Sequence, residues 1–313
     1  MRKQAFVTGA GGQDGSYLCE KLLAEGYEVS GLIRPSGDGR RYRLANCINS
    51  PYFKLVYGDI IDPAFPHILA SKTWDEVYLL AAQTHVMQSY HAPTVAMETN
   101  AMATTRILDA LFRTSPKTRV YFAATSEMFG TMQPGEKADE NYQLAAQSPY
   151  AAAKVASHLL CRVYREKGFH VSSGISFNHE SCRRGAEFVT RKIGLNIRNR
   201  GKVTLGNIDS CRDWHHAQDT VEGMWRALQM PTGDEYVFAS GVARSVRDLA
   251  EAVCDYFDTP YKDAISVAES EKRPWDVDYL CGDASKAETI LGWKPQISWD
   301  DLVANICSPE GMI

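Results

Sequence analysis

The sequence predicts an α/β protein, a doubly wound parallel sheet followed by a smaller mixed α/β lobe. Three observations carry this. Short apolar strand patterns alternate with helical ones as far as Phe177, a glycine-rich turn joins the first strand to the first helix, and the rhythm breaks after Phe177. Strands that alternate with helices imply a parallel sheet covered on both faces.

In chain order, Gln4–Thr8 reads as a short apolar strand, Gly15–Glu25 as an amphipathic helix and Tyr27–Ile33 as a second strand. Phe53–Tyr57 and Glu76–Leu80 read as further strands. Thr94–Thr114 is a long Ala- and Met-rich helix, Val120–Ala124 a strand, Tyr150–Lys167 a long helix and His170–Phe177 a strand. Asn178–Gly185 is polar and rich in turn formers. Beyond it, a helix over Phe188–Asn199 precedes shorter elements: Val203–Leu205, a helix near Ala217–Gln229, Tyr236–Ala239 and a helix over Ser245–Phe257. Ser245 is a helix cap, with Asp248 three residues on as a weakened capping box. One more helix is expected over Ala284–Leu291. Residues 1–177 are therefore read as a cofactor domain, completed by parts of 206–240, and 178–313 as a second lobe with the cleft between them. There are no internal repeats.

The 313 residues carry a net charge of −4, with 44% hydrophobic and 23% charged residues, which is ordinary globular composition. Arg40-Arg41 and Arg183-Arg184 are pairs rather than tracts, so no electrostatic argument favours nucleic acid or a membrane surface. No apolar run approaches the roughly 20 residues that span a bilayer. A strand pattern begins directly after Met1-Arg2-Lys3, leaving no room for a signal peptide, so the expectation is a soluble, cytoplasmic protein. The eight cysteines show neither C-x-x-C spacing nor a metal pattern with histidine, and are expected to be reduced thiols.

Thr8-Gly9-Ala10-Gly11-Gly12-Gln13-Asp14-Gly15 links the first strand to the first helix. Gly9 and Gly12 permit a tight turn and close backbone approach, and Gly15 lets helix pack on sheet. The helix N-terminus then offers free N–H groups to a pyrophosphate, with Gln13 and Asp14 in its first turn. Position and flanking elements favour this Rossmann-type reading over an ordinary strand–helix turn. An acidic residue at the end of the second strand would mark NAD. Arg34 stands there instead and favours the 2′-phosphate of NADP; a solvated surface arginine is the plainer alternative, and Asp38 keeps NAD open. Asp59, followed by Ile60, suits an acceptor facing adenine or, about as well, a turn aspartate.

Thr125-Ser126-Glu127 follows the strand ending at Ala124, and Tyr150 and Lys154 lie four apart on a helix, hence on one face. A neighbouring ammonium stabilises phenolate, so Tyr150 is expected to act as a base below its free pKa of about 10. Thr125 and Ser126 could equally be a helix cap. Both motifs in order behind a dinucleotide loop identify the chain as a member of the extended short-chain dehydrogenase/reductase family.

The string from Phe177 to Ile193, Phe-Asn-His-Glu-Ser-Cys-Arg-Arg-Gly-Ala-Glu-Phe-Val-Thr-Arg-Lys-Ile, resembles the signature of the GDP-mannose 4,6-dehydratase family. The likeness extends over Val7–Tyr17, Asp59, Glu76–Val86, Thr125–Gly130, Ser148–Lys154, Gly206–Asp213 and Leu291–Pro295. It implies NADP as cofactor and a GDP-sugar as substrate. Thr125 and Tyr150 would serve the 4-hydroxyl, Lys154 the cofactor ribose, Glu127 the proton on C5, and Ser126 or Glu127 the departing 6-hydroxyl. It further places Leu80, Ala81, Gln83, Tyr150, Lys154, His179 and Arg184 at the cofactor. Asn178, Lys192, Arg212 and Asp276 fall toward the nucleotide-sugar. A homodimer through helices 94–114 and 150–167 is implied, whereas the loop Pro35–Leu44 departs from the arginine-rich loop of tetramers. Thr84, Cys182, Trp275, His215 and Asp276 also depart from the family pattern. Other readings are the same dehydration on a GDP-heptose, decarboxylation of a UDP-uronic acid, and a non-catalytic NADP-binding protein.

Overall fold

The computed structural model describes residues 1–35, 40–271 and 276–309. Its strands are β1 (Gln4–Thr8), β2 (Glu28–Ile33), β3 (Phe53–Tyr57), β4 (Glu76–Leu79), β5 (Arg119–Thr125) and β6 (Val171–Ser176), then β7 (Asn178–Glu180), β8 (Val203–Leu205), β9 (Cys211–His216), β10 (Glu235–Phe238), β11 (Ala243–Ser245) and β12 (Ile265–Val267). Seven of them form one sheet in the order β10-β6-β5-β4-β1-β2-β3, and every pairing in it is parallel.

Side chains alternate across this sheet, as the pleat dictates. Phe6, Val77, Leu79, Val120 and Phe122 face a core built with Ile107, Leu108, Leu111 and Tyr164 from helices Ala103–Thr114 and Pro149–Glu166. Ala5, Val7, Tyr78 and Tyr121 face the opposite core, with Leu18 and Leu22 of helix Gln13–Ala24 and Val221 and Met224 of helix Ala217–Gln229. Both faces are covered, which explains the continuous apolar strands.

A third core lies apart from the sheet. Ile193 and Ile197 of helix Val189–Arg198 pack with Leu249 and Val253 of helix Val246–Tyr256 and with Leu302, Val303 and Ile306 of helix Trp299–Cys307. Two small sheets frame it: β7 parallel to β9 with β11 antiparallel to β9, and β8 parallel to β12.

Several boundaries correct the sequence reading. The 94–114 helix is a composite, in which Pro93–Met97 and Ala103–Thr114 flank a π-helical turn, Glu98–Met102. The stretch 178–185 is not all turn: Asn178–Glu180 is β7, drawn into register by β9. Helices Phe65–Ala70, Val86–His91 and Trp299–Cys307 were not anticipated. The Ser245 cap is stronger than expected, a complete capping box with Asp248. Asp38 and the Arg273-Pro274-Trp275 segment lie outside the described residues. All eight cysteines are free, and all but Cys211 are buried. No described helix is long and apolar enough to cross a membrane.

Candidate active site

A cleft of about 380 Å³ opens at the carboxyl ends of β4, β5 and β6 and runs into the second lobe. Ligands of open parallel sheets sit at this end, where strand order reverses. Thr125 ends β5 and caps the short 3-10 turn Ser126–Phe129 by accepting a hydrogen bond from the Glu127 N–H at 3.3 Å. The cap reading thus holds for a residue that also lines the cleft. The turn presents Ser126, which is buried, and Glu127, which is half-buried, to the cleft.

Helix Pro149–Glu166 begins where Ser148 Oγ accepts from the Ala151 N–H at 3.1 Å, with Pro149 in the first turn. This start aims Tyr150 and Lys154 at the cleft floor. The structure corrects the expected electrostatics of the pair. Burial pushes the Tyr150 phenol up to about 12; the Thr125 hydroxyl pulls it back and the Glu127 carboxylate adds to the rise. Burial likewise lowers Lys154 to about 8, and its Nζ donates to the Ala123 carbonyl at 2.8 Å. Lys154 is therefore held against the sheet by a backbone acceptor, and desolvation governs both groups.

Opposite this floor, Asn178, His179, Arg184, Lys192, Arg212 and Asp276 line the same cleft. Arg212 donates to Asp276 Oδ1 at 3.3 Å. Lys192 Nζ donates to the Thr204 carbonyl at 3.0 Å and to Glu271 at 3.2 Å. Arg184 pairs with Glu180 at 3.3 Å, its guanidinium stacked 3.8 Å over the Phe188 ring. Asp14 reaches the cleft from the first helix, hydrogen-bonded to His179 at 2.9 Å.

Of the remaining expected residues Leu80 lines this cleft, whereas Gly9, Gly12, Gln13, Gly15, Arg34, Asp59, Ile60, Ala81 and Gln83 lie outside its lining. Gly9 has φ +70°, and an added Cβ there would meet the Ala81 backbone at 3.0 Å. A Cβ on Gly15 would lie 2.2 Å from the Gly9 carbonyl oxygen, so the loop can close only with glycine at that position. Helix Gln13–Ala24 starts at Gly12 without a side-chain cap, leaving its first N–H groups to a ligand. This cradle fits a dinucleotide pyrophosphate. The Gln13 side chain is engaged by protein, donating to the His179 carbonyl at 3.0 Å and accepting from Ser181 at 2.8 Å. Leu80 and Ala81 donate their backbone N–H groups to Thr8 Oγ1 at 2.9 and 3.0 Å. Gln83 Nε2 donates to the His85 carbonyl at 2.9 Å. Arg34 is exposed just past β2. Asp59 Oδ1 accepts from the Ile61 N–H at 3.2 Å as a turn aspartate does, beside buried Ile60.

The family model for GDP-mannose 4,6 dehydratase matches residues 6–306. The chain belongs to the GDP-mannose 4,6-dehydratase family. By that membership it is a hydro-lyase. GDP-mannose 4,6 dehydratase 1 of Arabidopsis thaliana is 40% identical over 324 residues, covering 96% of this chain and 88% of the relative. The GDP-mannose 4,6-dehydratase of Vibrio cholerae is 37% identical over 347 residues, covering 98% and 93%. GDP-mannose 4,6-dehydratase sdnI of Sordaria araneosa is 41% identical over 327 residues; the match takes in 96% of this chain but 60% of that longer protein. Among solved structures, the dTDP-glucose 4,6-dehydratase DesIV of Streptomyces venezuelae, with NAD and TYD bound, superposes with TM-score 0.89. It is 27% identical and covers 97% of this chain and 95% of its own. The UDP-glucose 4-epimerase of Thermus thermophilus, in complex with NAD, shares the fold at TM-score 0.88 and 23% identity, covering 99% and 100%.

Two supports of this dehydratase-family site escaped the sequence reading. Thr8, noted only as the start of the glycine loop, ties that loop to the end of β4. Asn100, in the π-helical turn, accepts from the Gln83 N–H and donates to the Gln83 carbonyl, both at 2.9 Å. Its only trace in the sequence is one amide in an Ala- and Met-rich helix.

Proposed function

We propose that this protein dehydrates GDP-mannose to GDP-4-keto-6-deoxy-mannose with NADP as a recycled cofactor. Family membership supports the reaction class, and the glycine cradle with Arg34 at the tip of β2 supports NADP. The observation that carries the reading is Thr125-Ser126-Glu127 facing Tyr150 in the cleft that also holds Lys192, Arg212 and Asp276. A bound nicotinamide would supply a hydride acceptor for C4 and a hydride donor for C6. Thr125 would hold the 4-hydroxyl while Tyr150 takes its proton. The 4-ketone acidifies C5–H, and Glu127 removes that proton. Ser126, or Glu127 once protonated, gives a proton to the leaving 6-hydroxyl. Asn178, Lys192, Arg184 and Arg212 offer donors suited to phosphate oxygens.

On this reading residues 1–177, completed by parts of 206–240, bind NADP. Residues 178–313 bind the nucleotide-sugar. Two of the departures that left a GDP-heptose open lie away from the cleft. Cys182 is buried with its Sγ 3.9 Å from the Tyr17 hydroxyl, and His215 Nε2 is 2.7 Å from Thr220 Oγ1. Neither lines the cleft, so neither favours a heptose over mannose.

Turnover of GDP-mannose with catalytic NADP⁺ in deuterated water tests the proposal. Loss of one water with deuterium at C5, read by NMR and mass spectrometry, is expected. Glu127→Gln should stop after oxidation with reduced cofactor bound. Normal dehydration by that variant would remove Glu127 as the base, and unchanged GDP-mannose would move the reading to another nucleotide-sugar.

A further inference from the structure

Asp14 sits in the first turn of helix Gln13–Ala24. An incoming diphosphate is attracted there by unpaired N–H groups and the helix dipole. A bare carboxylate at this position would oppose the same anion. Asp14 is ionised, because burial, which alone would raise its pKa, is outweighed by His179, Gln13 and Arg184, and the group is lowered to about 2.

His179 answers that charge. Its Nε2 lies 2.9 Å from Asp14 Oδ2, and its Nδ1 lies 2.7 Å from the Phe177 carbonyl oxygen. A carbonyl and a carboxylate only accept hydrogen bonds, so both contacts are hydrogen bonds only if each ring nitrogen carries a proton. We infer that His179 is a resident imidazolium, the counter-ion that cancels Asp14 and keeps the helix N-terminus attractive to the cofactor diphosphate. The ligand in this inference rests on the proposed NADP reading; the charge state does not.

The surroundings agree. Arg184 also faces Asp14 and His179, but it is paired with Glu180. From β9, His216 and His215 face the ring, the latter with centroids 5.9 Å apart. Burial first, then His179 and His216, push His215 well below the usual histidine range, so it is neutral and does not compete for the charge. Burial would lower His179 too, yet the Asp14 carboxylate and the Phe177 carbonyl leave its pKa raised above 6.5. The cancellation also matters for chemistry, since the Asp14 charge acts on Tyr150 and raises its pKa. His179 is thus a positioning residue that acts through Asp14.

Nitrogen-15 NMR of histidine-labelled protein reads the charge directly. At neutral pH both His179 nitrogens should be protonated, with one proton lost as pH rises through the raised pKa; a neutral single tautomer overturns the inference. Calorimetry with NADP⁺ reads the consequence. His179→Gln should weaken binding about tenfold, the scale of one charge-assisted interaction. The double variant Asp14→Asn/His179→Gln should recover most of that loss, and Asp14→Asn alone should abolish the alkaline weakening of the wild type. A mere tether between lobes predicts a double variant as weak as His179→Gln, which would overturn the counter-ion role. If wild-type protein binds no dinucleotide, the cofactor reading and the counter-ion role fall together, while the spectrum still decides the charge.

Discussion

A phenol in a dry pocket is a poor base, and Tyr150 shows the cost: burial holds it near 12 while the facing Glu127 carboxylate opposes its ionisation. Something cationic must come close for the proposed proton transfer to run near neutrality. Arg184 already pulls the phenol down across the cleft, and Lys154 is positioned on the same helix face, its lowered pKa of about 8 still leaving it charged at neutral pH. Lys154→Met should therefore raise the phenol pKa in the working enzyme. The limb of kcat that requires the base form should move to higher pH, and kcat at neutral pH should fall by about 10²-fold, the lower end of general-base effects. A pH profile of kcat checks this; an unmoved limb would mean that Lys154 serves the Ala123 carbonyl alone. At this scale the sequence pointed to side chains that meet in one cleft, Thr125, Glu127, Tyr150, Lys154 and Arg184 among them, because Tyr, Lys, Glu and Arg in order are conspicuous. It did not show what they face. Nothing in Gln13 or Gln83 says that their side chains turn to the His179 and His85 carbonyls, since the first partner is 166 residues away and the second is set by how the local turn closes.

Among the elements, the turn after β1 and the turn after β4 form one device. Thr8 ties them together, Gly9 lets the Ala81 backbone approach, and Asn100 holds Gln83 from the far side. In the π-helical turn Glu98–Met102 the Asn100 carbonyl accepts from Ser157 Oγ at 2.7 Å and from Thr104 Oγ1 at 2.9 Å, and the Ser157 bond ties the two long helices at this point. Asn100→Ala would leave the Gln83 N–H and carbonyl without these partners. It should destabilise the fold by about 2–3 kcal/mol, the scale of stranding buried polar groups, in a denaturant titration. Gly15→Ala is a sharper test of the cradle. A methyl 2.2 Å from the Gly9 carbonyl oxygen must reopen the turn, so NADP⁺ binding should be lost by calorimetry while far-UV circular dichroism stays native. Retained binding would place the pyrophosphate elsewhere. The long elements were legible because period and apolarity repeat over many residues. Of the three-residue strands only β8 was read, and β7, β11 and β12 are too short to show a period, so their partners create them. Helix Trp299–Cys307 did carry a signal, Ser298 capping it by accepting from the Asp301 N–H at 3.1 Å.

For the whole molecule, the fold covers each face of the large sheet with helices, yet one helical surface is left apolar. On helix Pro149–Glu166, Leu159 and Val163 stand one turn apart and are each 44% exposed. The adjoining 93–114 run exposes Val95, Met97 and Met102. These two runs pack against each other, so the exposed side chains belong to neighbouring helices. An apolar strip of this kind marks an interaction surface more often than chance exposure. We propose that a second copy covers it, giving a two-fold dimer in which each protomer contributes both helices. Helix Pro149–Glu166 then runs through the interface, with Tyr150 and Lys154 near its start and Leu159 and Val163 further along. Dimerisation would stiffen the helix that carries Tyr150. Leu159→Glu/Val163→Glu places two carboxylates on the strip, and four would meet across the two-fold axis. Sedimentation velocity should show a dimer for the wild type and a monomer for the variant, with the monomer keeping native circular dichroism. Because association screens these apolar side chains from water, the wild-type thermal midpoint should rise with protein concentration and that of the variant should not. A variant that remains dimeric would move the interface to another surface and detach helix Pro149–Glu166 from assembly.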